Sequence, residues 1–131
     1  MLPKEHRLTS SRDHRVTMRQ GVRARGGGVM VSVRLKEASL REPTPHWRCG
    51  LVVSKAVGNA VVRHRVQRRL RHVIFELMRE KALDLPAERD LDMVIRAFPE
   101  IVDFDFQHLR AEVLRSTQRA LTKTARRMEQ P

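Results

Sequence analysis

Residues 55–73, "KAVGNAVVRHRVQRRLRHV", decide the fold, because a glycine–asparagine turn runs directly into a basic helix. Gly58-Asn59 breaks the preceding strand and opens the helix, and apolar residues then recur at helical spacing over residues 60–81. They form one stripe: Val62, Val66, Leu70, Val73 and Leu77. Five arginines and two histidines occupy most of the other positions between residues 63 and 72. The stretch predicts a helix fixed to a core on one side and cationic on the others.

The positive charge is concentrated in the first two-thirds of the chain. The 131 residues include 27 Lys and Arg against 15 Asp and Glu, a formal net charge of +12. Residues 1–82 hold 19 basic and 6 acidic side chains, whereas residues 83–131 hold 8 and 9. Such a field predicts an anionic partner, with nucleic acid favoured over an acidic membrane surface.

Several protein classes are excluded. The N-terminus lacks the apolar run of a secretory signal, and no stretch approaches the roughly 20 apolar residues that span a bilayer. A single cysteine, Cys49, rules out an internal disulfide and every multi-cysteine zinc site. We therefore expect one cytoplasmic domain over residues 1–131, with flexible tails at residues 1–10 and 122–131.

Periodicity predicts an α+β fold. A helix begins at Ser10 or Ser11 and ends near Gln20, and "RARGGG" follows as a flexible basic loop. Alternating apolar residues predict strands over residues 29–35, 47–54 and 91–98, with a turn at residues 42–45. Asp105 caps a last helix. The order predicts a mixed sheet of about four strands, with helices packed on one face and the more polar face open.

The basic helix has two interpretations. An ordinary solvated face mixes charge signs, yet residues 60–74 contain no acid, so we favour an anion-binding surface. Arginine suits that role because its planar fork binds phosphate bidentately and stacks on bases. Free N–H groups at the helix start, near Ser54, Lys55, Gly58 and Asn59, offer a further phosphate seat.

Nothing in the sequence predicts an enzyme active site on the chain itself. His64 and His72 lie on the helix without acidic partners in the pattern. No Ser-His-Asp, Cys-His or paired-carboxylate pattern stands out, and Asp105 is better explained as a helix cap than as half of a metal pair. We predict no catalytic residue and no protein-held metal.

Residues 50–72, "GLVVSKAVGNAVVRHRVQRRLRH", resemble the signature of the bacterial ribonuclease P protein component, GxxVSKKxGxAVxRNRxKRxxRE. "RLTSSRDHRVTMRQGVR" is similar to the family's first helix, and "VIRAFP" to its late strand. Departures from the pattern include His64 in place of asparagine, and Gln67 and Ala56 in place of lysine.

The resemblance implies a protein subunit that assembles with a large catalytic RNA and helps it to remove the 5′ leader of precursor tRNA. The RNA performs the hydrolysis with Mg²⁺ bound by RNA and substrate, and no membrane or obligate protein partner is implied. It also implies an uncommon left-handed crossover between parallel strands around the basic helix. The implied contacts with the catalytic RNA are Lys55, Gly58, Asn59, Arg63, His64, Arg65, Arg68 and Arg71. Those with the leader are His14, Arg15, Met18, Ser32, Arg34 and Ser54.

Three of the leader positions, His14, Met18 and Ser32, are commonly aromatic in the family. This chain has no tyrosine and only 4% aromatic residues. We therefore expect its leader groove to depend less on stacking and more on charge.

Three alternatives are disfavoured. A ribosomal-protein-like RNA-binding module shares the size and charge, but the specific turn-plus-arginine motif and the open groove argue against it. A DNA-binding regulator would normally have a helix-turn-helix pair, and a membrane-surface helix would carry large apolar residues outside the core stripe.

Overall fold

The computed structural model describes residues 2–37, 46–86 and 88–129, which form a four-stranded sheet with three α-helices. The elements in chain order are α1 (Ser11–Gln20), β1 (Val22–Arg25), β2 (Val29–Glu37), β3 (Trp47–Val52), α2 (Ala60–Arg79), β4 (Arg89–Ala97) and α3 (Phe106–Glu129). Short 3₁₀ turns occupy Lys4–His6 and Pro99–Asp103. No helix in these ranges is long and apolar enough to span a membrane.

The sheet is mixed, in the order β1-β2-β4-β3. β2 pairs antiparallel with both β1 and β4, and Val31 lies opposite Ile95. β3 pairs parallel with β4, and Cys49 lies opposite Met93. Because α2 connects these two parallel neighbours, β3, α2 and β4 form a crossover unit. The left-handed sense of that crossover remains a prediction.

The core lies between one face of the sheet, α2 and α3. The inward positions of β2 and β4 alternate as expected, from Val29, Val31 and Val33 to Met93 and Ile95. α2 contributes Val66, Leu70, Val73, Ile74 and Leu77, and α3 contributes Leu109, Val113 and Leu121. This buried set explains why the apolar periods in the sequence predicted the helices and strands.

The first helix, α1, lies against the opposite face of the sheet. Its Asp13 approaches Arg48 of β3, with 3.5 Å between Oδ2 and Nη1, and its Thr17 is fully buried. Ser32 and Val94, which point away from the core, are each only 1% exposed. The expectation of helices on one face therefore holds for α2 and α3, whereas α1 covers part of the face that we expected to be open. A short amphipathic helix carries no sequence signal for which side of a sheet it covers.

The N-terminal segment, residues 2–9, packs against the sheet, and the flexibility expected of residues 1–10 remains a prediction. Leu2 and Leu8 are buried, and the Leu8 N–H donates to the Cys49 carbonyl at 3.0 Å. The His6 ring stacks on Trp47 with 3.9 Å between centroids. The segment therefore packs along the free edge of β3. At the other end, α3 continues through residues 122–129.

Most predicted elements are present, with one strand added. Ser10 caps α1, and Asp105 caps α3 by accepting from the His108 N–H at 2.7 Å. β1 was not predicted, because "RARGGG" reads as a loop. It pairs with β2 as a hairpin, whose turn is fixed where the Gly27 N–H donates to Glu112 at 3.1 Å. The turn predicted at residues 42–45 lies outside the described residues.

Candidate nucleic-acid interface

The start of α2 is a tight, capped turn. The Asn59 side chain accepts a hydrogen bond from the Val62 N–H at 3.0 Å, so its role in the structure is to cap the helix. A Cβ on Gly58 would lie 2.8 Å from the Val62 side chain, which explains the glycine. Lys55 is exposed just before this turn. The predicted phosphate-binding position is therefore a capped helix N-terminus next to an exposed lysine.

The outward face of α2 is cationic and open. His64, Arg65 and Arg68 are exposed, opposite the buried stripe. Arg63 and Arg71 are half-buried at its margins, and the Arg63 Nε is buried without a hydrogen-bond partner. Within the described residues, no acid forms an ion pair with any of these four arginines.

The acids of α2 are drawn away from this face. Glu76 accepts from Arg110 of α3 at 2.7 Å, and Glu80 pairs with the same guanidinium. The hydrogen bonds to both carboxylates raise the pKa of Arg110. Arg110 therefore offsets part of the negative charge of these two acids, and neither acid pairs with the exposed arginines of α2.

Arg69, the fifth arginine of the motif, has a structural partner. Its Nη2 donates to the main-chain carbonyl of Phe104 at 2.7 Å, which ties α2 to the turn before α3. Arg69 is not among the RNA contacts that the resemblance implies.

Beneath α1, the second face of the sheet carries a charge network that the sequence analysis missed. Asp92, only 2% exposed, accepts from Arg48 at 2.9 and 2.8 Å and lies 3.0 Å from the Lys36 ammonium. These hydrogen bonds with Asp92 are the main cause of a raised pKa for Arg48. Polar residues at alternate positions of β3 and β4 are visible in the sequence. That Arg48 pairs with Asp92 could be known only from the register of the two strands.

The predicted leader residues are not equally accessible. Arg15 and Ser54 are exposed, and Met18 and Arg34 are half-buried. Ser32 is 1% exposed beneath α1, so it has no free surface for a base. His14 donates from Nε2 to the Leu8 carbonyl, and its ring lies where a Gly50 side chain would be. The structure therefore leaves Arg15, Met18, Arg34 and Ser54 as accessible candidates.

A cleft of about 380 Å³ brings parts of the two predicted sets together. Its lining includes His14 of α1, Gly50 of β3, Gln67 and Arg71 of α2, and Leu8 of the N-terminal segment. Cys49 lies at its base, and complete burial raises the pKa of that thiol to about 12. The thiol is therefore neutral and unreactive at physiological pH.

Comparisons with known proteins identify the family. A family model described as Ribonuclease P matches residues 2–121. A ribonuclease P protein component from Mycolicibacterium vanbaalenii is 42% identical over 124 residues, covering 95% of this chain and 97% of the relative. The one from Corynebacterium diphtheriae is 40% identical, covering 97% and 99%.

A solved structure shares the fold. The RNase P protein of Staphylococcus aureus aligns with a TM-score of 0.69 over 89% of this chain and 96% of that one, at 20% identity. Together with the matches in sequence, the capped basic helix α2 and the mixed sheet lead to one conclusion: the chain belongs to the ribonuclease P protein component family.

Proposed function

We propose that this protein binds the catalytic RNA of ribonuclease P through α2 and the 5′ leader of precursor tRNA through the face that carries α1. The observation that carries the proposal is the outward face of α2, whose arginines have no acidic partner among the described residues. Several guanidiniums on the solvent-facing side of one helix, next to its N-terminus, are suited to the closely spaced phosphates of a folded RNA.

The leader contact would use the accessible part of the predicted set. Arg15 and Arg34 supply charge near α1, and Met18 supplies a half-buried apolar surface. Lys36 and Arg48 are less suited to phosphate, because both already pair with Asp92 and Arg48 pairs with Asp13 as well. The leader groove is therefore expected to hold the strand chiefly by phosphate contacts, with little stacking.

The chemistry is proposed to belong to the RNA. Among the described residues, no group of three or more His, Cys, Asp or Glu side chains is placed to hold a metal ion. We propose that Mg²⁺ is held by RNA and substrate oxygens, where it supplies the hydroxide and stabilises charge on the phosphate. The protein neutralises nearby phosphates and fixes the substrate, and we place this activity in the cytoplasm.

Binding to a bacterial ribonuclease P RNA over a salt series tests the first half of the proposal. Arg65→Ala and Arg68→Ala should each weaken binding and reduce the slope of log K against log salt by about one. Arg126→Ala, which changes an exposed arginine on α3, is the matched control and should have a smaller effect. Equal losses for all three variants would instead favour a general basic RNA-binding module.

A further inference from the structure

The outward face of α2 continues beyond its arginines to an exposed aromatic residue. Phe75 is 42% exposed and lies seven residues, about two turns, after Arg68 on the same side of the helix. A single exposed aromatic residue needs no explanation by itself. The side chains around Phe75, however, form a cavity with it.

Phe75 forms one wall of a cavity of about 380 Å³. The other walls are Arg68, Arg71 and His72 from α2 and Pro3 from the N-terminal segment. An aromatic ring beside two guanidiniums can take both parts of a nucleotide, because the base stacks on the ring while its phosphate pairs with arginine. The volume lies within the range of small-ligand sites.

The walls are held by contacts of their own. The His72 ring meets Phe106 edge-on, with 5.2 Å between centroids, and its Nε2 lies 3.7 Å from a Glu76 oxygen. Pro3 is positioned by the 3₁₀ turn that follows it, where its carbonyl accepts from the His6 N–H at 2.9 Å. The buried side chain of Leu2 anchors the same segment. A site with fixed walls loses less conformational entropy on binding.

The electrostatics favour an anion. Neither Arg68 nor Arg71 forms an ion pair with an acid of the described residues, and Glu76, the acid beside His72, is itself paired with Arg110. A lipid surface would need several exposed apolar side chains, and the other large ones in the described ranges, Val61 and Met128, do not line this cavity.

We propose that this cavity binds one unpaired nucleotide of the ribonuclease P RNA, with its base stacked on Phe75 and its phosphate on Arg68 and Arg71. The inference rests on the proposed function. We assign the nucleotide to the catalytic RNA rather than to the leader, because the cavity is lined by the outward face of α2 and by no residue of α1 or the sheet.

Tryptophan fluorescence tests the stacking. The chain has one tryptophan, so the double variant Trp47→Phe, Phe75→Trp carries a single reporter in the cavity. The ribonuclease P RNA should quench this emission and shield it from acrylamide. The matched control, Trp47→Phe with Met128→Trp, places the reporter at a 47% exposed position on α3, outside the proposed interface, and should be quenched less.

Affinity gives a second readout. Phe75→Ala should weaken binding of the RNA by about 5- to 100-fold without changing the salt slope, because no charge is lost. Phe75→Trp should keep the wild-type affinity. Because Phe75 is half-exposed, we expect Phe75→Ala to unfold at the same temperature as the wild-type protein. If this variant is destabilised instead, the fluorescence experiment alone tests the stacking.

Other outcomes would overturn the inference in distinguishable ways. If wild-type protein restores leader cleavage but Phe75→Ala binds normally and the reporter is not quenched, the cavity is not a nucleotide site and the proposed function stands. If precursor tRNA quenches the emission and the ribonuclease P RNA does not, the cavity binds the leader instead. If only an acidic peptide quenches it, the cavity binds a protein partner. If wild-type protein neither binds the RNA nor restores cleavage, both proposals fail together.

Discussion

Arg69 Nη2 donates a 2.7 Å hydrogen bond to the main-chain carbonyl of Phe104, whereas Arg65, one turn earlier, is exposed and without an acidic partner in the described ranges. Two arginines of one motif therefore have different roles. Arg69 holds α2 to the turn before α3, and Arg65 is free for a ligand.

Arg69→Ala should lower the free energy of unfolding by about 1–2 kcal/mol, because the half-buried Phe104 carbonyl loses a charged donor. Arg65→Ala should leave that free energy within about 0.5 kcal/mol of wild type. Urea unfolding measures both. A stable Arg69→Ala, or a destabilised Arg65→Ala, would contradict this division of roles.

Gly50→Ala should move α1 and the N-terminal segment away from β3. The new Cβ would meet the His14 ring and lie 2.9 Å from the Leu8 carbonyl, so overpacking of about 1–3 kcal/mol is expected. Leader-dependent affinity for precursor tRNA should fall, while affinity for the catalytic RNA changes little.

Gly27→Ala is the control for that variant. Its Cβ would come no closer than 3.7 Å to Glu112, an ordinary contact, so stability should be preserved. If Gly50→Ala and Gly27→Ala unfold at the same temperature, the close packing of His14 on Gly50 does not contribute to stability.

Met18→Phe should strengthen leader binding several-fold, because it adds a base-stacking surface at the one accessible position among the three that are usually aromatic. The same change at Ser32 should destabilise the fold instead, because Ser32 is 1% exposed under α1. Affinities for precursors with leaders of increasing length measure the effect. A gain that is independent of leader length would argue against stacking at this site.

We expect the protein to lose stability at alkaline pH, because the thiol of Cys49 is buried. Its folded pKa, about 12, lies above the value of about 8.5 for an exposed thiol, so the folded state holds the proton more tightly. The stabilisation is complete below about pH 8.5 and is lost as the pH rises toward 12.

Comparison with Cys49→Ala isolates that titration. The wild-type advantage in free energy of unfolding should shrink between pH 8.5 and 10.5, and the native thiol should react slowly with an alkylating reagent at pH 8. A pH-independent gap between the two proteins, or rapid labelling, would contradict the burial of this thiol.

Helices and strands could be predicted from the sequence where the spacing of apolar residues matches the face that is buried in the fold. Val66, Leu70, Val73 and Leu77 stand at helical spacing and are all buried, and Val29, Val31 and Val33 alternate as their strand requires. β1 escaped prediction because four residues with two arginines carry too little pattern. Its pairing with β2 supplies the stability that its own sequence lacks.

The site was predictable in its chemistry and less so in its geometry. The exposed arginines of α2 could be predicted from the motif. The hydrogen bond from His14 to the Leu8 carbonyl and the burial of Ser32 could not, because they depend on where α1 and the N-terminal segment pack. Contacts between residues distant in sequence, such as Arg48 with Asp92, require the register of the sheet.

The most direct measurement is processing of a 5′-labelled precursor tRNA at low Mg²⁺ with the protein alone, a bacterial ribonuclease P RNA alone, and both together. The account predicts release of the leader at the mature 5′ end in the combined mixture only. The double variant Arg65→Ala, Arg68→Ala should lose that rescue and regain part of it at high Mg²⁺. Binding of RNA without any restored cleavage, across ribonuclease P RNAs of several bacterial types, would contradict the account.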